Sequence, residues 1–120
     1  MEQNKRTIGA DMEARAVEYL VSQGVEVLER NFRCRQGEID IVCRDGSYLV
    51  FVEVKFRASL RKGAPEEAVG LAKQKVICRV ADYYRCTRGI SQSVAVRYDV
   101  VAVLNEEIRW YQNAFMHHYR

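Results

Sequence analysis

Two short segments place charge where strand patterning calls for apolar side chains. They are Gly37-Glu38-Ile39-Asp40 and, past a short turn, Val52-Glu53-Val54-Lys55. Removing an unpaired charge from water costs on the order of several kcal/mol. A strand pair carrying Asp40, Glu53 and Lys55 therefore has something for them to hold. A divalent cation is the leading candidate.

The turn sets how these residues meet. Asp45-Gly46 is a hairpin signal between two apolar runs, Glu38 to Cys43 and Tyr48 to Phe56. With Asp45-Gly46 as a two-residue turn, Arg44 pairs with Ser47, Val42 with Leu49, Asp40 with Phe51 and Glu38 with Glu53. Opposed residues of an antiparallel pair share a face. Regular alternation then gathers Glu38, Asp40, Glu53 and Lys55 on one face. Asp40 and Glu53 become diagonal neighbours with backbones roughly 7–8 Å apart, a gap that two carboxylates can close around one ion.

Such a group has a use. Hard oxygen ligands with open positions suit Mg²⁺ or Mn²⁺, which keep several waters and bind phosphate. The ion acidifies a bound water and neutralises charge on phosphoryl oxygens. A lysine two residues beyond the second carboxylate can reach that water or a phosphate oxygen. The competing reading is a cross-strand ion pair of Glu38 or Glu53 with Lys55 at a wet sheet edge, which is common and worth little. Against it, the surrounding run Leu49 to Phe56 is the most apolar in the chain, as expected of a central strand covered on both faces.

The rest of the chain supplies a frame. Ile8 to Gln23 is helical, with Glu13, Ala16, Val17 and Leu20 on one stripe and Gly24 as its C-terminal cap. Glu13 thus sits on an otherwise apolar face. It reads equally as a first-turn acid reaching water or as a functional carboxylate. Val25 to Phe32 is strand-like, followed by Arg33 and Arg35 in a loop. Arg57 to Gly63 forms a basic loop with Arg61 and Lys62. Pro65, Glu66 and Glu67 suit the first turn of a second helix, whose stripe runs Val69, Ala72, Val76, Val80 and Tyr84, widened by Ile77 and Ala81. Strands Val94 to Leu104 and Ile108 to Tyr111 complete an α-β-β-β-α-β-β order. The expected fold is a single α/β domain over residues 1–120, a mixed sheet with helices on both faces.

Composition narrows the class. Nineteen basic and sixteen acidic residues give +3, mildly basic, which permits a polyanionic partner without requiring one. The polar segment Met1 to Thr7 lacks an apolar stretch behind it, and no run reaches membrane-helix length, so a cytoplasmic protein is expected. Cys34, Cys43, Cys78 and Cys86 form no Cys-x-x-Cys pair and read as half-buried thiols. His117 and His118 read as a solvated tail.

Asp40 followed by Glu53-Val54-Lys55 resembles the D…(D/E)-x-K motif of the PD-(D/E)xK nuclease superfamily. The element order is similar to that superfamily's restriction-endonuclease-like α-β-β-β-α-β core. The closer resemblance is to the YraN family of small bacterial proteins, described as candidate endonucleases, and it covers nearly the whole chain. It includes Gly9, Glu13 and Ala16, Arg30-Asn31-Phe32-Arg33, Gly37 to Asp40, Val50 to Lys55 with Arg57, Lys73, and Arg97-Tyr98-Asp99-Val100-Val101. The resemblance implies Asp40 and Glu53 as metal ligands, with the Val54 carbonyl as a third. It implies Lys55 as the group that positions the attacking water. Glu13 matches a first-helix acid also carried by archaeal Holliday-junction resolvases. Ile39 stands where the superfamily has Pro, and Asp11-Met12 where relatives often have Gly before the Glu.

Three functions remain open. One is a Mg²⁺- or Mn²⁺-dependent DNA endonuclease, for which a homodimer is one available form, selective for branched or damaged DNA in repair or recombination. Arg33, Arg35, Arg57, Arg61, Lys62, Lys73 and Lys75 would line its substrate groove, with Glu38 in support. The second is a non-catalytic nucleic-acid-binding module. The third is a protein-interaction scaffold whose charged cluster is an ion-pair network.

Overall fold

The computed structural model describes residues 5–57 and 69–119, with side chains from residue 9 onward. The elements are α1 (Lys5–Ser22), β1 (Glu26–Cys34), β2 (Gly37–Asp45), β3 (Tyr48–Phe56), α2 (Leu71–Thr87), β4 (Val96–Leu104) and β5 (Glu107–Phe115). This is the order that the periodicity predicts.

The five strands lie in sequence order, β1-β2-β3-β4-β5. All neighbours are antiparallel except β3 and β4, which run parallel. A parallel step needs a crossover, and α2 falls in it. Each helix covers its own face. Ala16 and Leu20 of α1 pack with Ile41, Cys43, Val50, Val52, Val101 and Val103. Ile77, Cys78, Val80, Ala81 and Tyr84 of α2 pack with Val42, Phe51, Tyr98 and Val100. A mixed sheet between two helices is compatible with a restriction-endonuclease-like core.

Local signals explain most boundaries. At the end of α1 the amides of Gly24 and Val25 bond back to the carbonyls of Val21 and Leu20, with Gly24 at φ 88. This is a Schellman cap, which asks for glycine. Gly37 opens β2 where an added Cβ would lie 2.7 Å from Val76 of α2, so the helix rests directly on its backbone.

Several expectations are corrected. Pro65, Glu66 and Glu67 lie outside the described residues, as do Arg61 and Lys62. Val69 is buried but precedes the helix, which starts after Gly70, and Ala72 and Val76 are exposed. The expected Ile77, Val80, Ala81 and Tyr84 are buried, and Cys78 joins them. β5 continues four residues past Tyr111. Asn113 at φ 55 takes up a bulge there, and its amide bonds to Asp99. Of the thiols, Cys43 and Cys78 are fully buried and Cys86 is exposed. His117 and His118 are not a solvated tail. His117 Nδ1 meets the Tyr98 hydroxyl at 2.6 Å, and His118 Nε2 meets Gln74 Oε1 at 2.8 Å. A stacked ring and a polar partner on α2 hold them in place.

Candidate active site

The hairpin turn is Gly46-Ser47, one residue later than expected, and Asp45 pairs with Tyr48. Gly46 takes φ 61 in the first turn position, as glycine does in type II′ turns. Asp45 is drawn into the strand, where its carboxylate accepts from Arg97 Nη2 at 2.9 Å. The register slides accordingly, so Val42 faces Phe51 and Ile41 faces Val52. Continued one step, it sets Asp40 opposite Glu53 instead of diagonal to it.

Alternation also fails where it matters. Ile39 and Val42 both pack toward α2, whereas Ile41 and Cys43 pack toward α1. On β1 the residue facing this break is Asn31, at φ 52 between the pairs Arg30↔Ile41 and Phe32↔Ile39. Both strands therefore exchange faces at Asn31 and Asp40. Glu38, Asp40 and Val42 do not share a face. Glu38 and Asp40 line a cavity of about 640 Å³ with Glu13 of α1 and with Val54. Glu53 is directed instead to α2, where Lys73 meets it.

Asp40 and Glu53 still meet, through the seam between the strands. The backbone ladder ends at Ile41↔Val52, and beyond it the Val54 amide donates to Asp40 Oδ2 at 2.8 Å. Burial pushes the Asp40 carboxyl up to about 7. The Glu53 charge and a hydrogen bond with Glu53 add to the rise, while the Val54 amide and the Lys73 charge oppose it.

The cations divide around this pair. Lys55 Nζ and Lys73 Nζ each lie 3.7 Å from Glu53 Oε2, whose side chain is 8 % exposed. Lys73 thus belongs to the carboxylate pair, beyond the groove role that sequence assigned it. Lys75, two residues along the helix, projects away from it. Arg33 is exposed and pairs with Glu38 at 2.8 Å, Arg35 sits in the β1–β2 turn, and Arg57 follows the end of β3. Glu13 is buried, and its Oε1 accepts from Arg30 Nε at 3.2 Å and Asn31 Nδ2 at 2.8 Å. The face exchange at Asn31 is what brings its amide to the helix.

Among the described residues no three His, Cys, Asp or Glu side chains are grouped to enclose a metal ion. Asp40 opening on the cavity, with Glu53 adjacent to it, does match the sparse protein ligation of Mg²⁺, which takes one or two carboxylates and fills its remaining positions with water or phosphate.

Residues 12–103 match the family described as "Uncharacterised protein family UPF0102". The chain belongs to this family. A UPF0102 protein of Lachnoclostridium phytofermentans is 50% identical over 112 residues, 93% of this chain and 95% of that one. UPF0102 proteins of Caldicellulosiruptor saccharolyticus and Acetivibrio thermocellus are 45% and 49% identical, covering 93% and 87% of this chain and 99% and 80% of theirs. The match spans both strands of the carboxylate pair, Glu13 and Lys73.

One network carries no catalytic reading from sequence. Asp99, 1% exposed, accepts from Arg97 Nε and Nη2 at 2.9 Å each, from Trp110 Nε1 at 2.8 Å and from the Asn113 amide at 2.9 Å. It ties β4 to β5 and, through Arg97, to Asp45 at the hairpin turn. The available signal was an Arg and an Asp two apart on an otherwise apolar strand.

Proposed function

We propose that this chain is a metal-dependent DNA endonuclease of the PD-(D/E)xK type, resembling archaeal Holliday-junction resolvases and acting in the cytoplasm on branched or damaged DNA. The observation that carries the reading is the meeting of Asp40 and Glu53 in the strand seam, with two lysines on Glu53. Asp40, Glu53 and the Val54 carbonyl would hold Mg²⁺ or Mn²⁺. When bound, the ion supplies Lewis acidity to the phosphodiester and to water.

The chain's own groups do the rest. Lys55 and Lys73 present ammonium donors beside the carboxylates, where they orient a water or a phosphate oxygen. Glu13, fixed by Arg30 and Asn31, lines the same cavity and can accept a proton or bind a further water. Arg33, Arg35 and Arg57 supply sequence-independent phosphate contacts. A domain this small covers little DNA, which favours action as a homodimer.

One observation favours the scaffold reading instead. Glu13, Glu38 and Glu53 each already have a cationic partner, as an ion-pair network would. A single assay separates the readings. Branched, flapped, single-stranded and linear DNA are incubated with Mg²⁺, Mn²⁺ or EDTA, alongside Asp40→Ala, Glu53→Ala and Lys55→Ala. Metal-dependent cleavage lost in all three variants is expected. Cleavage that survives them overturns the assignment, binding without cleavage favours a non-catalytic module, and neither favours the scaffold.

A further inference from the structure

A second recess lies on the other side of the molecule, between the C-terminal half of α2, the start of β4 and the end of β5. It is a cleft of about 930 Å³, within the roughly 300–1,000 Å³ range of small-molecule sites. The parallel register places its β4 residues, Val96 to Tyr98, opposite Leu49 to Phe51 at the start of β3. The Asp40–Glu53 seam lies further along β3, with Glu53 three residues beyond Val50, about 10 Å at 3.3 Å per residue.

Its walls form a continuous series of rings. Phe51 in the core stacks on Tyr98 at 5.8 Å, and Tyr98 stacks on Phe115 at 5.0 Å and on His117 at 5.7 Å. His117 meets Tyr119 edge-on at 4.6 Å. The series starts fully buried and ends on Tyr119, which is 87% exposed. A large ring so exposed, braced by rings beneath it, is a platform for stacking.

The cleft also holds two guanidinium groups. Arg97 lines it, but its guanidinium is engaged by Asp99 and Asp45. Arg85 lines it too. Its Nη2 bonds to the Ser91 carbonyl at 3.3 Å, while its buried Nε finds no acceptor among the described residues. That nitrogen is closed off from the cleft, so it is the rest of the guanidinium, a permanent cation in the wall of the recess, that is offered to an anionic oxygen. The carboxylate of Asp82 is turned to His117, 3.5 Å from Nε2.

We infer that this cleft is a nucleotide-binding site, taking the base on the Tyr119–His117 rings and the phosphate on Arg85. One ligand must satisfy both an aromatic platform and a guanidinium donor, and a nucleotide does so whether free or at the end of a strand. The inference is independent of the hydrolytic reading, since no residue of the Asp40–Glu53 seam takes part.

The test is NMR-monitored titration of the full chain in EDTA with dTMP, thymidine, inorganic phosphate and oligo(dT). Saturable dTMP binding is expected, with thymidine and phosphate weaker by about tenfold or more, the scale of a lost stacking or ionic contact. Tyr119→Ala and Arg85→Lys should each weaken it about tenfold at an unchanged urea midpoint, since one ring is exposed and the other change keeps the charge. Asp40→Asn should bind as the wild type does. Tighter binding of oligo(dT) assigns the site to strand ends, and tighter binding of dTMP to free nucleotide. Phosphate binding as tightly as dTMP, no saturable binding of dTMP or oligo(dT), or loss in Asp40→Asn with Tyr119→Ala unaffected would each overturn the inference.

Discussion

Lys73 Nζ on α2 and Glu53 Oε2 on β3 lie 3.7 Å apart, the same separation that Lys55 keeps from that oxygen. Lys73 is twenty positions along the chain from Glu53, on the element that makes the crossover. The helix is thus coupled to the carboxylate pair by charge as well as by its apolar stripe. Asp40 instead accepts a hydrogen bond from the Val54 amide.

This asymmetry fixes how Asp40 responds to its neighbours. Lys73 lowers its pKa and Glu53 raises it, while burial contributes the largest rise. Lys73→Met should therefore move Asp40 upward from about 7, and Glu53→Gln should move it downward. Carboxyl carbon shifts followed by NMR across a pH titration read both. Movement of the two variants in the same direction would contradict the arrangement.

The raised pKa also sets a sign for stability. In the unfolded chain Asp40 ionises near 3.8, and in the folded chain near 7. Between these values the folded state holds the extra proton, so this group's contribution is greatest at low pH and declines until about pH 7. Asp40→Asn should flatten that decline and raise the wild-type melting temperature by a few degrees at pH 8, with little change at pH 4. One pKa unit corresponds to about 1.4 kcal/mol, reduced here by water reaching a half-buried seam. Mn²⁺ should recover the same loss in the wild type at pH 8 and not in Asp40→Asn. A pH slope without any Mn²⁺ effect would leave the carboxylate pair standing and remove the metal from it.

The element order, the mixed sheet, the Gly24 cap and the closeness of Asp40 to Glu53 were legible because each rests on local chemistry or on period. The route by which those two meet was not. It depends on Asn31 and Asp40 exchanging faces together across a strand pair, and on Arg97 drawing Asp45 into β2. Neither effect leaves a trace in one strand's pattern. On α2 the expected Ile77, Val80, Ala81 and Tyr84 are buried, but Ala72 and Val76, which fit the helical period equally well, are exposed. Only the position of the sheet decides between them. The histidines were misread because their partners, Tyr98 and Gln74, are 19 and 44 residues away.

Gly37 offers a test of the contact between β2 and α2. Its φ is 154, and a Cβ there would stand 2.7 Å from Val76 Cγ1. Gly37→Ala should cost about 1–3 kcal/mol, the range for overpacking, with the unfavourable backbone added. Val76→Ala in the same chain should recover part of the loss, because it removes the clash and leaves the backbone strain. Urea midpoints at constant m-value measure both. A neutral Gly37→Ala would mean that α2 sits further from the sheet edge than described.

Asp99 tests whether the buried network is structural. Replacing it with Ala leaves Arg97, 10 % exposed at its side chain, with only Asp45 as an ionic partner in the described network, and strands the Trp110 indole N–H. Breaking one side of a buried pair costs about 3–5 kcal/mol. Asp99→Asn keeps one acceptor oxygen, for either the Trp110 indole or the Asn113 amide, and loses the charge, so a loss smaller than that of Asp99→Ala is expected. Arg97→Met with Asp99→Leu removes both charges and should be more stable than Asp99→Ala alone, because no guanidinium is left uncompensated. Chemical denaturation of the four proteins orders them. Asp99→Ala ranking above the double variant would show that Arg97 is satisfied by water or by Asp45 without Asp99, and that the network does not hold β4 to β5.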